Sequence, residues 1–148
     1  MSIVVGVDGS AESLQALGWA IAEARLRHTD LRAVYVWQYP FAPSGGDPFL
    51  AGASYLPAEI DAGELRDAAT ARLAGVVERV ETDGVELRQE AIEGHPAETL
   101  LDAAKDADLL VVGSRGHGGF AGLLLGSVSQ ACVHHARCPV VVTRGRSS

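Results

Sequence analysis

The chain has 148 residues, 47% apolar and 21% charged, a balance that suits one folded domain with a real core over residues 1–148. Twelve Lys and Arg against nineteen Asp and Glu leave a formal charge of −7, which argues against a nucleic-acid or anionic-membrane partner, since both need a basic surface. No apolar run reaches the ~18 residues of a transmembrane helix, and Met1 to Asp8 lacks the basic and long apolar regions of a signal peptide, so the expected location is the cytoplasm.

Ile3-Val4-Val5-Gly6-Val7 is a short continuous apolar run, as in a strand buried on both faces. Asp8-Gly9-Ser10 ends it, and Ser10 is a good helix N-cap. Leu14, Leu17, Ile21 and Ala24 then recur at helical spacing and predict a helix over 10–28. Leu31 to Trp37, rich in Val, Tyr and Trp, reads as a second strand. Residues 38–57 hold Pro40, Pro43, Pro48 and Pro57 and read as a long loop, of the kind that usually carries function. Leu65, Ala69, Leu73, Val76, Val77 and Val80 predict a helix over 60–81, and Asp83-Gly84 a turn. Val85 to Ile92 alternates in part and predicts a less buried strand. Gly94-His95-Pro96 opens a short helix with proline in its first turn. A fourth strand over 108–113, a helix over 126–135 and a last strand over 139–143 follow.

Alternation of strand and helix along the whole chain implies right-handed βαβ units around a parallel sheet. Ligands of such sheets sit beyond the carboxyl ends of the strands, at a switch in strand order. Two stretches lie at predicted strand ends: Asp8-Gly9-Ser10, and the segment from Gly113 to Ser127. The second holds six glycines between a valine-rich strand and a helix. Glycines at such a junction let backbone N–H groups approach a ligand, and a helix N-terminus adds partial positive charge suited to phosphate.

Three phosphate-loop patterns can be set aside. A Walker loop needs a lysine, and the chain's only lysine is Lys105. Gly116-His117-Gly118-Gly119-Phe120-Ala121 fits the looser dinucleotide pattern, but it does not follow the first strand and no acid ends the next one. Ser44-Gly45-Gly46-Asp47 has no strand in front to aim it.

Gly113-x-x-Gly116, followed after nine residues by Gly126-Ser127, remains. Together with Asp8-Gly9-Ser10, Gly94-His95-Pro96-Ala97 and the closing Cys138-Pro139-Val140-Val141-Val142, it resembles the signature of the universal stress protein family, and the resemblance covers essentially the entire chain. It implies a flavodoxin-like or adenine-nucleotide α-hydrolase-like open parallel sheet of five strands, order 3-2-1-4-5, with helices on both faces. It also implies an ATP-binding member of the family and a homodimer through the C-terminal strand. Carried over by position, it places Asp8 near the ribose and adenine, and Val36 at the adenine through backbone hydrogen bonds. Gly113 and Gly116 would let the chain pass close to ribose and phosphates. Gly126 and Ser127 would hold phosphates, with Val128 beside them, and Arg115 and His117 fill the loop between.

The chemistry of these residues agrees. A backbone cradle holds phosphate without a Walker lysine. Ser127 is placed to cap the last helix and donate to a phosphate oxygen, and Arg115 is a fork-shaped cation that can pair with one. Magnesium would be carried by the nucleotide rather than by a carboxylate cage. Asp8 has a plainer use as the start of a turn into the first helix, and His95 as a turn residue. His134 and His135 are adjacent on a helix, so they cannot form the i, i+4 pair of zinc sites. Cys132 and Cys138 read as buried hydrophobes. The chain thus reads as a nucleotide-dependent stress or signalling module with no catalytic residue assigned. The alternatives are a slow ATPase or phosphotransferase and a nucleotide-independent dimeric scaffold.

Overall fold

The computed structural model describes residues 2–38, 61–114 and 125–144. Strand β1 spans Ser2–Gly6, helix α1 Ala11–Arg27, β2 Asp30–Trp37, α2 Ala62–Val77, β3 Leu87–Glu93, α3 Pro96–Ala103, β4 Leu109–Gly113, α4 Ser127–His135 and β5 Val140–Thr143. The five strands form one sheet of order β3-β2-β1-β4-β5, parallel throughout. This is the fold and strand order that the resemblance implies.

Strand alternation divides the core in two. Ile3, Val5, Ala33, Tyr35 and Val111 face α1 and α2, whose Leu17, Ile21, Leu65 and Leu73 close over them. Val4, Val34, Leu110 and Val112 face the other way, toward Leu100 of α3 and Cys132 of α4. Residues of both sets are fully buried, which is why β1 and β4 read as unbroken apolar runs. The two faces are covered unequally. Helices α1 and α2 have 17 and 16 residues, whereas α3 and α4 have 8 and 9.

Each helix starts for a local reason. Ser10 accepts the Ser13 N–H at 3.2 Å and caps α1. Glu12 in the first turn and Arg25 and Arg27 in the last complement the helix dipole. His28 closes α1 in the left-handed conformation, φ 54°, with its N–H on the Ala24 carbonyl. Pro96 at the start of α3 costs no hydrogen bond, because a first-turn N–H has no partner inside the helix.

Helix α2 is shorter than its apolar spacing predicts. It ends at Val77, and Arg79 and Val80 then donate to the carbonyls of Val76 and Val77 in tightened turns. Val80 still packs against the core, so its apolar signal belongs to the turn beyond the helix. The expected Asp83-Gly84 turn is present, with Val85 N–H on the Thr82 carbonyl and Gly84 at φ 82°. The third strand begins two residues later than expected, at Leu87, and as the sheet edge it exposes Arg88 and Gln89. The predicted loop lies outside the described residues from residue 39 onward. Among the described residues no helix is long and apolar enough to cross a membrane.

One ion pair orients α3. Arg32 of β2 donates through Nε and Nη2 to both Glu90 oxygens, at 2.6 and 2.9 Å, and through Nη1 to the Ala103 carbonyl at 2.8 Å. A guanidinium fork therefore joins β2, β3 and the C-terminal end of α3. With that end held, the N-terminus of α3 points to the carboxyl edge of the sheet.

Candidate functional site

Asp8 follows β1 at its carboxyl end. Gly6 pairs with Val34 in register, so Asp8 comes level with Val36, two residues further on each strand. Val34 accepts the Val7 N–H at 2.9 Å, and by strand alternation Val36 turns its own N–H and carbonyl to that same side, beyond the end of β1. Asp8 and the Val36 backbone thus share one notch. The Asp8 carboxylate has a local task as well, since Oδ1 accepts the Ser10 N–H at 2.9 Å and shapes the turn into α1. Ser13 supports the turn: its Oγ accepts the Asp8 N–H and donates to the Ser10 carbonyl.

Gly113 closes β4 beside this notch. A Cβ there would lie 2.8 Å from the carbonyl carbon of Glu12 and 2.9 Å from its oxygen. Glycine at 113 therefore lets the start of α1 pack directly on the end of β4. Ser114 continues past the strand, its N–H on the Thr143 carbonyl of β5 at 2.7 Å. Its own carbonyl accepts the Gly126 N–H at 2.6 Å. The two ends of the glycine-rich stretch meet at this bond.

Gly126, with φ −76° and ψ 171°, is the N-cap of α4, and Ser127 is the first helical residue. The expectation that Ser127 caps this helix is corrected here. A side chain caps from the extended residue before the helix, and that position is a glycine. Ser127 is exposed and, with Val128, lines one side of an open pocket of about 320 Å³ whose other side is formed by His95, Pro96, Ala97 and Glu98 at the start of α3. Among the described residues, no side chain caps the start of α3 or α4. Two first turns of backbone N–H groups, each at a positive helix end, therefore border one cavity at the carboxyl edge of the sheet. Glu98 supplies a carboxylate at the same cavity, and His95 Nδ1 lies 3.1 Å from Gln38 Nε2, joining the end of β2 to the start of α3.

Asp8, Val36, Gly113, Gly126, Ser127 and Val128 all fall at this edge. Arg115, Gly116 and His117 lie outside the described residues. The residue pattern does not show the α3 side of the pocket, since His95 reads as a turn residue when only its neighbours Gly94 and Pro96 are considered. Ser129 carries no signal in the sequence; the residue is 2% exposed, and its hydroxyl donates toward the Ser114 and Gly126 carbonyls at 2.8 and 3.0 Å. His134 and His135 stand exposed in the last turn of α4, ring centres 6.3 Å apart, where the helix end favours positive charge.

A parallel sheet that turns the N-termini of two short helices toward one pocket at its carboxyl edge is an α/β domain of the kind whose ligands sit beyond the strand ends. The universal stress protein family model matches residues 1–144, and the chain belongs to that family. It is 40% identical over 151 residues to a universal stress protein of Mycolicibacterium smegmatis, covering 99% of this chain and 46% of the relative. The chain thus spans about half the length of the curated relatives it matches. Among solved structures it is similar to the universal stress protein UspA from Lactobacillus plantarum, with 30% identity, a TM-score of 0.69 and 97% of each chain covered. It is also similar to a universal stress protein crystallised in complex with cAMP, with 26% identity, a TM-score of 0.68, and 99% and 98% of the two chains covered.

Proposed function

We propose that this chain binds an adenine nucleotide, ATP with Mg²⁺, at the carboxyl edge of its sheet, and that it acts as a nucleotide-dependent stress or signalling module in the cytoplasm. The convergence of the N-termini of α3 and α4 on one pocket is the observation that carries this reading. A phosphate chain there would meet oriented N–H groups and two positive helix ends without a lysine. The pocket, about 320 Å³ and open to solvent, is at the small end of the usual ~300–1,000 Å³ for ligand sites. The adenine would lie toward Asp8 and the Val36 backbone. Gly116, Arg115 and His117 would complete the phosphate end, as the family resemblance implies. The family relative held with cAMP supports adenine as the base. Mg²⁺ would arrive on the nucleotide and offset phosphate charge beside Glu98.

A homodimer through β5 belongs to the same reading. Val140, Val141 and Val142 are only half-buried on this edge strand, and pairing with a second copy would cover it.

Thermal unfolding with and without MgATP tests the binding. At ligand ~100-fold above Kd the folded state gains about 2.7 kcal/mol, and Gly126→Val abolishes the gain while the protein stays folded. An unchanged midpoint at millimolar MgATP refutes the reading.

A further inference from the structure

Ser129 is the third residue of α4, in its first turn, at the junction of the two ends of the glycine-rich stretch. A serine hydroxyl has one proton, and here that proton lies between two carbonyl oxygens, those of Ser114 and Gly126, at 2.8 and 3.0 Å. The Ser114 carbonyl also accepts the Gly126 N–H, so both of its lone pairs are engaged. Ser114 is held in turn by the Thr143 carbonyl of β5. One chain of hydrogen bonds thus runs from β5 through Ser114 to the first turn of α4. Ser129 is 2% exposed, and the residues that α4 contributes to the cavity lining are Ser127 and Val128.

Resting on the nucleotide reading above, we propose that Ser129 is a positioning residue for the phosphate end of the site. Its hydroxyl sets the angle at which the first-turn N–H groups of α4 meet the ligand, and it does not touch the ligand itself. Without that proton the Ser114 and Gly126 carbonyls lose their shared donor, and the start of α4 is tied to the end of β4 by the Ser114–Gly126 backbone bond alone, free to tilt about it. The adenine side, at Asp8 and Val36, hangs on β1 and β2 and is unaffected. Ser129 therefore governs affinity for the phosphate chain and leaves affinity for the nucleoside alone.

The test compares wild type, Ser129→Ala and Ser129→Cys, the last keeping the shape with a weaker donor. MgATP affinity is read by calorimetry and adenosine affinity by competition. Ser129→Ala weakens MgATP about tenfold, the scale of one lost hydrogen bond, and Ser129→Cys falls between it and wild type. Adenosine affinity stays within about twofold of wild type in both variants, on the same scale. Should the alanine variant fail to fold, the ratio of the two affinities in the cysteine variant gives the same answer. Equal losses for both ligands, or no loss for either, overturn the positioning role while leaving nucleotide binding intact. Wild type that binds neither ligand overturns the nucleotide reading and this proposal with it.

Discussion

The Ser114 carbonyl accepts the Gly126 amide hydrogen at 2.6 Å. That bond joins the carboxyl end of β4 to the N-cap of α4, and it places the positive end of α4 next to the notch formed by Asp8 and Val36. The glycine-rich stretch is therefore closed at its base by ordinary backbone chemistry. The helix end is set before any ligand arrives.

Gly113 and Gly18 should respond to alanine in opposite directions. A Cβ at 113 would meet the Glu12 backbone at 2.8 Å, and backbone yields less readily than the tip of a side chain. Gly113→Ala should cost about 1–3 kcal/mol. Gly18, exposed in the middle of α1, has nothing within 4 Å of its missing Cβ, so Gly18→Ala should gain about 0.5–1 kcal/mol. Denaturant unfolding of both variants measures the two signs. Equal midpoints would contradict the packing of α1 on β4.

Ser10→Ala removes the side-chain cap of α1 and leaves the Ser13 N–H without its acceptor. The expected loss is about 1 kcal/mol, read as a lowered unfolding midpoint at unchanged m-value. Ser10→Gly should recover most of it, because glycine is nearly as good a cap as serine.

The Arg32–Glu90 pair has a pH signature. Hydrogen bonding to the Arg32 guanidinium holds the Glu90 carboxyl below its ordinary range, outweighing desolvation, and the charge of Arg32 adds to the effect. A carboxylate lowered in the folded state contributes stability above its unfolded value, about 4.3, and loses it as pH falls through the folded value. Wild type should therefore be more stable than Glu90→Gln at pH 7, by at most ~1 kcal/mol for a pair this open to solvent. The two proteins should converge in acid, below the folded value. Stability curves that stay parallel from pH 7 to pH 3 would contradict this.

The cysteines should differ in reactivity. Burial, with a smaller contribution from Cys138, pushes the Cys132 thiol up to about 11, and its residue is fully buried. Cys138 is half-buried. At pH 8 a maleimide should label Cys138 slowly and leave Cys132 untouched in the native protein, because the thiolate is the reacting form. Both should react in urea. Peptide mass spectrometry locates the labels, and native labelling of Cys132 would contradict its burial.

Most of the architecture is legible in the residue pattern because it is local. The unbroken valines of β1 and β4, the serine cap of α1 and the proline start of α3 each announce their element within a few positions. The candidate site is legible at its glycines and at Asp8 and less so elsewhere, because its other half is made by distant segments. Ser127 and His95 border one cavity though they come from different helices, and no local spacing shows that. Gly113 reads in the sequence as a point of close approach to a ligand, and its packing reason appears only with Glu12 in place. Ser129 looks like an ordinary helix serine until Ser114 is brought beneath it. The apolar pattern runs past the end of α2 because Val80 keeps helical spacing while packing from a turn.

The site itself is tested most directly by titrating MgATP into ¹⁵N-labelled protein and following the amide resonances. Saturable shifts should centre on Ala97, Glu98, Gly126, Ser127 and Val128, with Val36 and Asp8 responding on the adenine side. Gly126→Val should abolish them. A spectrum unchanged at millimolar MgATP, or shifts confined to residues away from the carboxyl edge of the sheet, would contradict nucleotide binding between α3 and α4.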